Sequence, residues 1–142
     1  MTLYAPYDDQ NIFAQIMRGE APCVRVFEDG NVLAIMDVFP QSRGHVLVMP
    51  KTPSRNLLEV HAKDVGRLFG ATQRIAVAVE KALKPDGIVV TQFNGAPAGQ
   101  TVFHTHVHII PRYSDEALAA HGSEMADTDA LAKIAQKIRA HL

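Results

Sequence analysis

"QTVFHTHVHIIPRY" spans Gln100 to Tyr113, and within it His104, His106 and His108 recur at every second residue. Side chains of an extended chain alternate between faces. Val102, His104, His106, His108 and Ile110 therefore fall on one side, and Thr101, Phe103, Thr105, Val107 and Ile109 on the other. The second set is mostly apolar and suits burial against a helix. That leaves three imidazoles together on the opposite face, about 7 Å apart along the strand at roughly 3.3 Å rise per residue. Pro111 ends the run by removing a ladder donor.

Upstream of this row, "GIVVTQF" (87–93) reads as a strand and "NGAPAG" (94–99) as a loop. Before them lies the longest periodic stretch, about Val60 to Lys84. There Val65, Leu68, Phe69, Ile75, Ala76, Val79 and Leu83 form one apolar stripe, and Pro85 and Gly87 close the helix. "HVLVMPK" (45–51) is a further strand. "VRVFEDGNVLAIMD" (24–37) is a hairpin whose Asp29-Gly30 pair suits a turn with positive φ. Near the start, Asp8 and Asp9 are placed to cap a short helix in "NIFAQIMRGE" (11–20), with Gly19 as its stop. Leu131, Ile134 and Ile138 mark an amphipathic C-terminal helix. Few strands joined by short turns predict an α+β domain: an antiparallel sheet of about five strands with the long helix packed on one face. One domain covers 1–142, with its core at about 11–111 and a helical tail at about 125–142.

The 142 residues are enough for one complete core, and 47% hydrophobic with 20% charged residues is ordinary for a globular chain. A formal net charge of -1 without a basic block gives no general attraction to nucleic acid or membrane, so an anion must be held locally. No apolar run approaches the roughly 20 residues that span a bilayer, and the N-terminus lacks a secretory pattern, so a cytoplasmic location is expected. Cys23, the single cysteine, has no partner for a disulfide or a CxxC site.

The histidine row admits three readings. A solvated polar face would not need three imidazoles in strict alternation. Alternate histidines on a strand can share one zinc ion, but a closed site needs further ligands. No clear metal-spaced cluster accompanies the row, and His61, His121 and His141 fall at a helix start, a loop and the tail. The third reading is nucleophilic catalysis at phosphorus, for which neutral imidazole is available near neutral pH. Phosphoryl oxygens then need preorganised donors. The glycine-bounded loop just upstream can supply backbone N–H groups, with Gln100 and Thr101 adding side-chain donors.

"HTHVHII" resembles the signature of the histidine triad (HIT) hydrolases and transferases, and "AGQTVF" resembles that family's phosphate-binding approach. "NIFAQIMRGEAPCVRVFEDG" and "LAIMDVFPQSRGHVLVMPK" are similar to its first helix and first three strands, so the resemblance covers most of 11–111. It implies that His106 is the nucleophile attacking the α-phosphorus of a nucleotide, through a covalent nucleotidyl-histidine. His104 and His108 flank it, and His45 matches the fourth histidine. Asp37 stands where an acidic residue holds the ribose hydroxyls. Ile12, Phe13, Ile16, Met36 and Leu47 match positions lining the base and ribose pocket, and Gly99, Gln100, Thr101 and Asn94 the phosphate site.

Phe93 departs from the family, which usually has an Asn or Gln there; Gln92 and Asn94 are the nearby amides. Zinc-containing members carry a Cys-x-x-Cys pair where this chain has Asn11 and Ala14, so no metal and no cofactor is expected. The implied activity is cleavage of purine nucleoside 5'-phosphoramidate-type substrates by a homodimer. The alternatives are hydrolysis of dinucleoside polyphosphates and a nucleotide-binding regulatory protein with little activity.

Overall fold

The computed structural model describes residues 3–119 and 124–142, so His121 lies outside the described residues. The first helix, α1 (Ile12–Met17), is capped by Asn11 rather than by Asp8 or Asp9. Asn11 Oδ1 accepts from the Ala14 N–H at 3.0 Å, satisfying one of the donors a helix start leaves open. Asp8 turns back instead on the Gln10 N–H.

β1 (Arg25–Glu28) and β2 (Val32–Met36) form the expected hairpin. Its turn is made differently from the expectation, because Gly30 does not take a positive φ. The Asp29 carboxylate accepts from the N–H groups of Asn31 and Val32 at 2.7 and 2.8 Å, and that side-chain turn does the folding back. With β3 (Val46–Pro50), β4 (Gly87–Thr91) and β5 (Val107–Arg112), the strands make one sheet in the order β1-β2-β3-β5-β4. Every neighbouring pair is antiparallel, so the α+β architecture stands as predicted.

Alternation divides the sheet between two coverings. One face packs Ala34, Val48 and Ile109 against α2 (Ala62–Leu83) and α3 (Thr128–Arg139), through Leu68, Ile75, Val79, Leu131 and Ile138. Each fully buried Leu or Ile of this kind contributes roughly 1.5–3 kcal/mol. The other face carries Leu33, Ile35, Leu47 and Met49, covered by Phe13 and Ile16 of α1. Phe69 does not join the α2 stripe and is 38% exposed, because the buried line runs through Leu68, Ala71, Thr72, Ile75, Ala78 and Val79. Lys84, not a glycine, closes α2 in the left-handed region at φ 52, its N–H bonded to the Glu80 carbonyl.

The histidine row is only partly strand. β5 begins at Val107, so His108 lies in the sheet while His104 and His106 stand on the approach to it. Thr105 nevertheless keeps the predicted parity, turning from its neighbours to bond Ser54. Upstream the alternation fails, since Thr101 and Val102 both reach the same cavity.

Gly44 sits immediately before His45 at φ +92, where an added Cβ would run into the Leu83 side chain and stand 3.2 Å from Pro111 Cγ. Gly44→Ala should therefore cost about 2–4 kcal/mol, read as a lower urea midpoint. An unchanged midpoint would show that this close approach does not constrain the backbone.

Candidate active site

Four histidines meet where β3 and β5 run side by side, and all are buried: His45, His104, His106 and His108. His106 and His108 have ring centroids 5.0 Å apart, closer than the strand repeat alone predicts. The Phe13 ring stands edge-on to His106 at 4.9 Å, so α1 forms a wall beside that imidazole.

The hydrogen bonds assign the tautomers, because carbonyls only accept and backbone N–H groups only donate. His106 Nδ1 lies 2.7 Å from the His104 carbonyl oxygen, so Nδ1 carries the proton and Nε2 presents the in-plane lone pair. His45 Nδ1 accepts from the Gln41 N–H at 3.0 Å, which places the proton of neutral His45 on Nε2. That nitrogen donates to His108 Nδ1 at 2.9 Å. Neutral His108 therefore carries its own proton on Nε2. Asp37 Oδ2 stands 3.4 Å from His45 Nε2 and adds favourable charge there, while Oδ1 accepts from the Phe39 N–H at 2.8 Å. His104 donates from Nε2 to the Pro50 carbonyl at 2.8 Å and accepts at Nδ1 from the Tyr7 hydroxyl at 2.7 Å.

A cavity of about 510 Å³ opens beside these groups, within the range of small-molecule sites. His106, His108 and Thr101 line it, and Asp37 is also on its wall. The remainder is largely apolar, including Ile12, Phe13, Ile16, Ile35 and Leu47. An imidazole with its proton on Nδ1, N–H and O–H donors and a carboxylate thus border a slot suited to a flat apolar ring.

Met36 borders the cavity, as expected, and also packs in the buried cluster with α2. Other expectations need correction. Gln100 is 3% exposed and serves the loop: Oε1 accepts from the Gly95 N–H, and Nε2 donates to the Arg55 and Val102 carbonyls. The N–H groups of Ala98, Gly99 and Gln100 are likewise bonded within the loop, so Gly99 supplies a φ of 108 rather than an anion contact. Asn94 and Gln92 do not line the cavity; their amides pair with each other, and Asn94 Oδ1 also accepts from the Leu57 N–H. Neither replaces the amide missing at position 93. Phe93 instead packs edge-on to His108, with ring centroids 5.5 Å apart.

Further residues complete the cavity wall. Met125 and Thr128 line the cavity from the tail, and Val38 and Phe39 from the loop after β2. Ile35 could have been found from its parity with Asp37. The metal reading also changes, because ligand atoms of Asp37, His45 and His108 lie within 4.8 Å of one another. They come from the end of β2, the start of β3 and β5, so linear spacing did not show them. A divalent ion there would have to displace the proton that His45 gives His108.

Burial lowers the pKa of His104 from 6.5 to about 4, with His106 adding to the effect and the bond to Pro50 opposing it. The unfolded chain takes up this proton below its ordinary value while the folded chain resists it. Stability is therefore complete above pH 6.5 and falls as pH drops toward 4, by on the order of 3 kcal/mol from this residue. Urea melts at pH 7 and pH 4.5 should show the loss, and His104→Gln, which keeps an amide N–H for Pro50, should reduce it. An equal loss in the variant would assign the effect elsewhere.

The chain matches the HIT domain family model over residues 18–115. It is 42% identical over 102 residues to Protein hit of Bacillus subtilis, covering 72% of this chain and 70% of that one. The adenylylsulfatase HINT3 of Arabidopsis thaliana is 36% identical over 137 residues, covering 92% of this chain and 68% of the relative. Among solved structures, a Hit-like protein from Bartonella henselae described as involved in cell-cycle regulation superposes with TM-score 0.89 at 48% identity, covering 96% of this chain and all of that one. A zinc-bound histidine triad family protein from Mycobacterium smegmatis superposes with TM-score 0.81 at 36% identity, covering 93% and 92%.

Proposed function

The chain belongs to the HIT domain family, and from that premise we propose that it is a nucleotide hydrolase or transferase that cleaves at the α-phosphate of purine nucleoside 5'-phosphate derivatives. One observation carries the reading. The Nδ1–H of His106 is held by the His104 carbonyl, so Nε2 presents its lone pair at a cavity that also holds donors and a carboxylate. A scaffold that only bound nucleotide would need no such tautomer.

In the proposed reaction, His106 Nε2 attacks phosphorus and the bond to the leaving group breaks. Its electron pair leaves with that group, which takes up a proton from a histidine N–H or from Thr101. As the P–N bond forms, positive charge grows on the imidazole, and the carbonyl of His104 accepts a strengthened bond from Nδ1–H. His108 Nε2–H and the Thr101 hydroxyl donate to the phosphoryl oxygens. Water then attacks the same phosphorus and gives up a proton to the group that protonated the leaving group, restoring it; the P–N bond breaks and its electron pair returns to Nε2. Asp37 accepts from the ribose hydroxyls, while Ile12, Phe13, Ile16 and Leu47 hold the base and ribose.

A 5'-phosphoramidate-type linkage is the leading substrate class, and the adenylylsulfatase name of the Arabidopsis relative supports an adenylyl group. A dinucleoside polyphosphate is the second. Phe93, in place of an amide, favours a third reading, a nucleotide-binding protein with little turnover. A homodimer belongs to the proposal too: β4 is an edge strand, and its Val89 and Val90 are 40% and 48% exposed. Sedimentation should give a dimer and Val90→Lys a monomer; a monomeric parent chain would refute that part.

His106→Ala should lower kcat on adenosine 5'-phosphoramidate by at least about a thousandfold while AMP binding, measured by calorimetry, stays within a few-fold. Undiminished turnover would remove His106 as nucleophile. The parent enzyme should show the higher kcat/KM on the phosphoramidate than on diadenosine polyphosphate, and the reverse ratio would move it to the second class. Among the described residues no helix is long and apolar enough to cross a membrane.

A further inference from the structure

We propose that Tyr7, on the segment before the family's matched region, is a positioning residue that acts through His104 to hold His106 in its nucleophilic tautomer. The inference rests on the proposed role of His106 and names a residue that role does not include.

The connection is a continuous line of hydrogen bonds. Asn11, the cap of α1, donates from Nδ2 to the Tyr7 hydroxyl at 2.9 Å. Tyr7 donates to His104 Nδ1 at 2.7 Å, and His104 Nε2 donates to the Pro50 carbonyl at 2.8 Å. The directions are forced from the far end: the carbonyl can only accept, so Nε2 bears the proton and Nδ1 must receive one. The backbone carbonyl of His104 then receives the His106 Nδ1–H at 2.7 Å.

The need for this anchor follows from the sheet. Pairing between β3 and β5 ends at Val48 with Val107, so no β3–β5 ladder bond fixes residues 104 and 106. Thr105 ties the segment to Ser54 on one side. On the other, His104 pins it by both ring nitrogens, and its imidazole reaches the carbonyl that the ladder no longer uses. At 1% exposure, the His104 imidazole depends on protein partners for its hydrogen bonds. Without the hydroxyl of Tyr7 its ring is held at one nitrogen only. The carbonyl of residue 104 then loses its fixed aim, and His106 can move its proton to Nε2, where it no longer attacks.

Tyr7→Phe tests this, because it removes one oxygen and keeps the ring that stands edge-on to His104 at 5.7 Å. In the parent protein, the imidazole 15N shifts of His106 should show a protonated Nδ1 and a lone pair on Nε2. In the variant they should move toward a mixture of tautomers, with kcat down roughly 10- to 100-fold and KM within about twofold. Asn11→Ser keeps a capping oxygen for α1 but not the amide donor to Tyr7, and should give a smaller change in the same direction. A lower melting temperature with unchanged His106 shifts and kcat would assign Tyr7 a merely structural role and overturn the proposal. The nitrogen shifts need no substrate, so absent nucleotide turnover would reject the proposed function without deciding this inference.

Discussion

The hydrogen bond from His106 Nδ1–H to the carbonyl of His104 is the constraint on which the site depends. Imidazole has two nitrogens and one proton at neutral pH, and only the bare nitrogen can attack. A side-chain acceptor could rotate or titrate, whereas a backbone carbonyl does neither. Its direction is set by the path of the chain, and that path is held by Thr105 on Ser54 and by His104 on Pro50 and Tyr7. The second proton line, from Gln41 through His45 to His108, orients the neighbouring imidazole in the same way, from backbone outward.

The fold serves these lines by separating its two faces. α2 and α3 bury one side of the sheet, giving β3 and β5 a rigid backing at Val46, Val48, Val107 and Ile109. The opposite side needs only α1, a helix of six residues, and so leaves room for a cavity between Phe13, Leu47 and the histidines. Stability and chemistry thus use alternate residues of the same strands. That is why Gly44, wedged against Leu83 on the core side, matters to His45 on the other.

The parts of this arrangement legible in the sequence are those governed by periodicity. The alternation through His104 to Ile110 marked the two faces, and the spacing of Leu68, Ile75 and Val79 marked the long helix. Parity also linked Ile35 to Asp37, since residues two apart on a strand share a side. Local rules failed where a side chain replaced backbone conformation, as Asp29 does in the hairpin and Lys84 at the end of α2. They failed again at Gln100 and Asn94, polar residues beside the site whose amides are taken by the loop and by Gln92. Polarity and proximity in sequence do not say which way an amide points. Tyr7 and Thr128 came from distant segments, and no local pattern linked them to the histidines.

The proposed chemistry requires that His106 itself become bonded to phosphorus. Rapid mixing with adenosine 5'-phosphoramidate, denaturing quench and peptide mass spectrometry tests it most directly. A transient adenylyl adduct is expected on the peptide containing residues 104–108, located on His106 by fragmentation. Hydrolysis at an undiminished rate with an adduct on another residue, or with none at the earliest times, would contradict it.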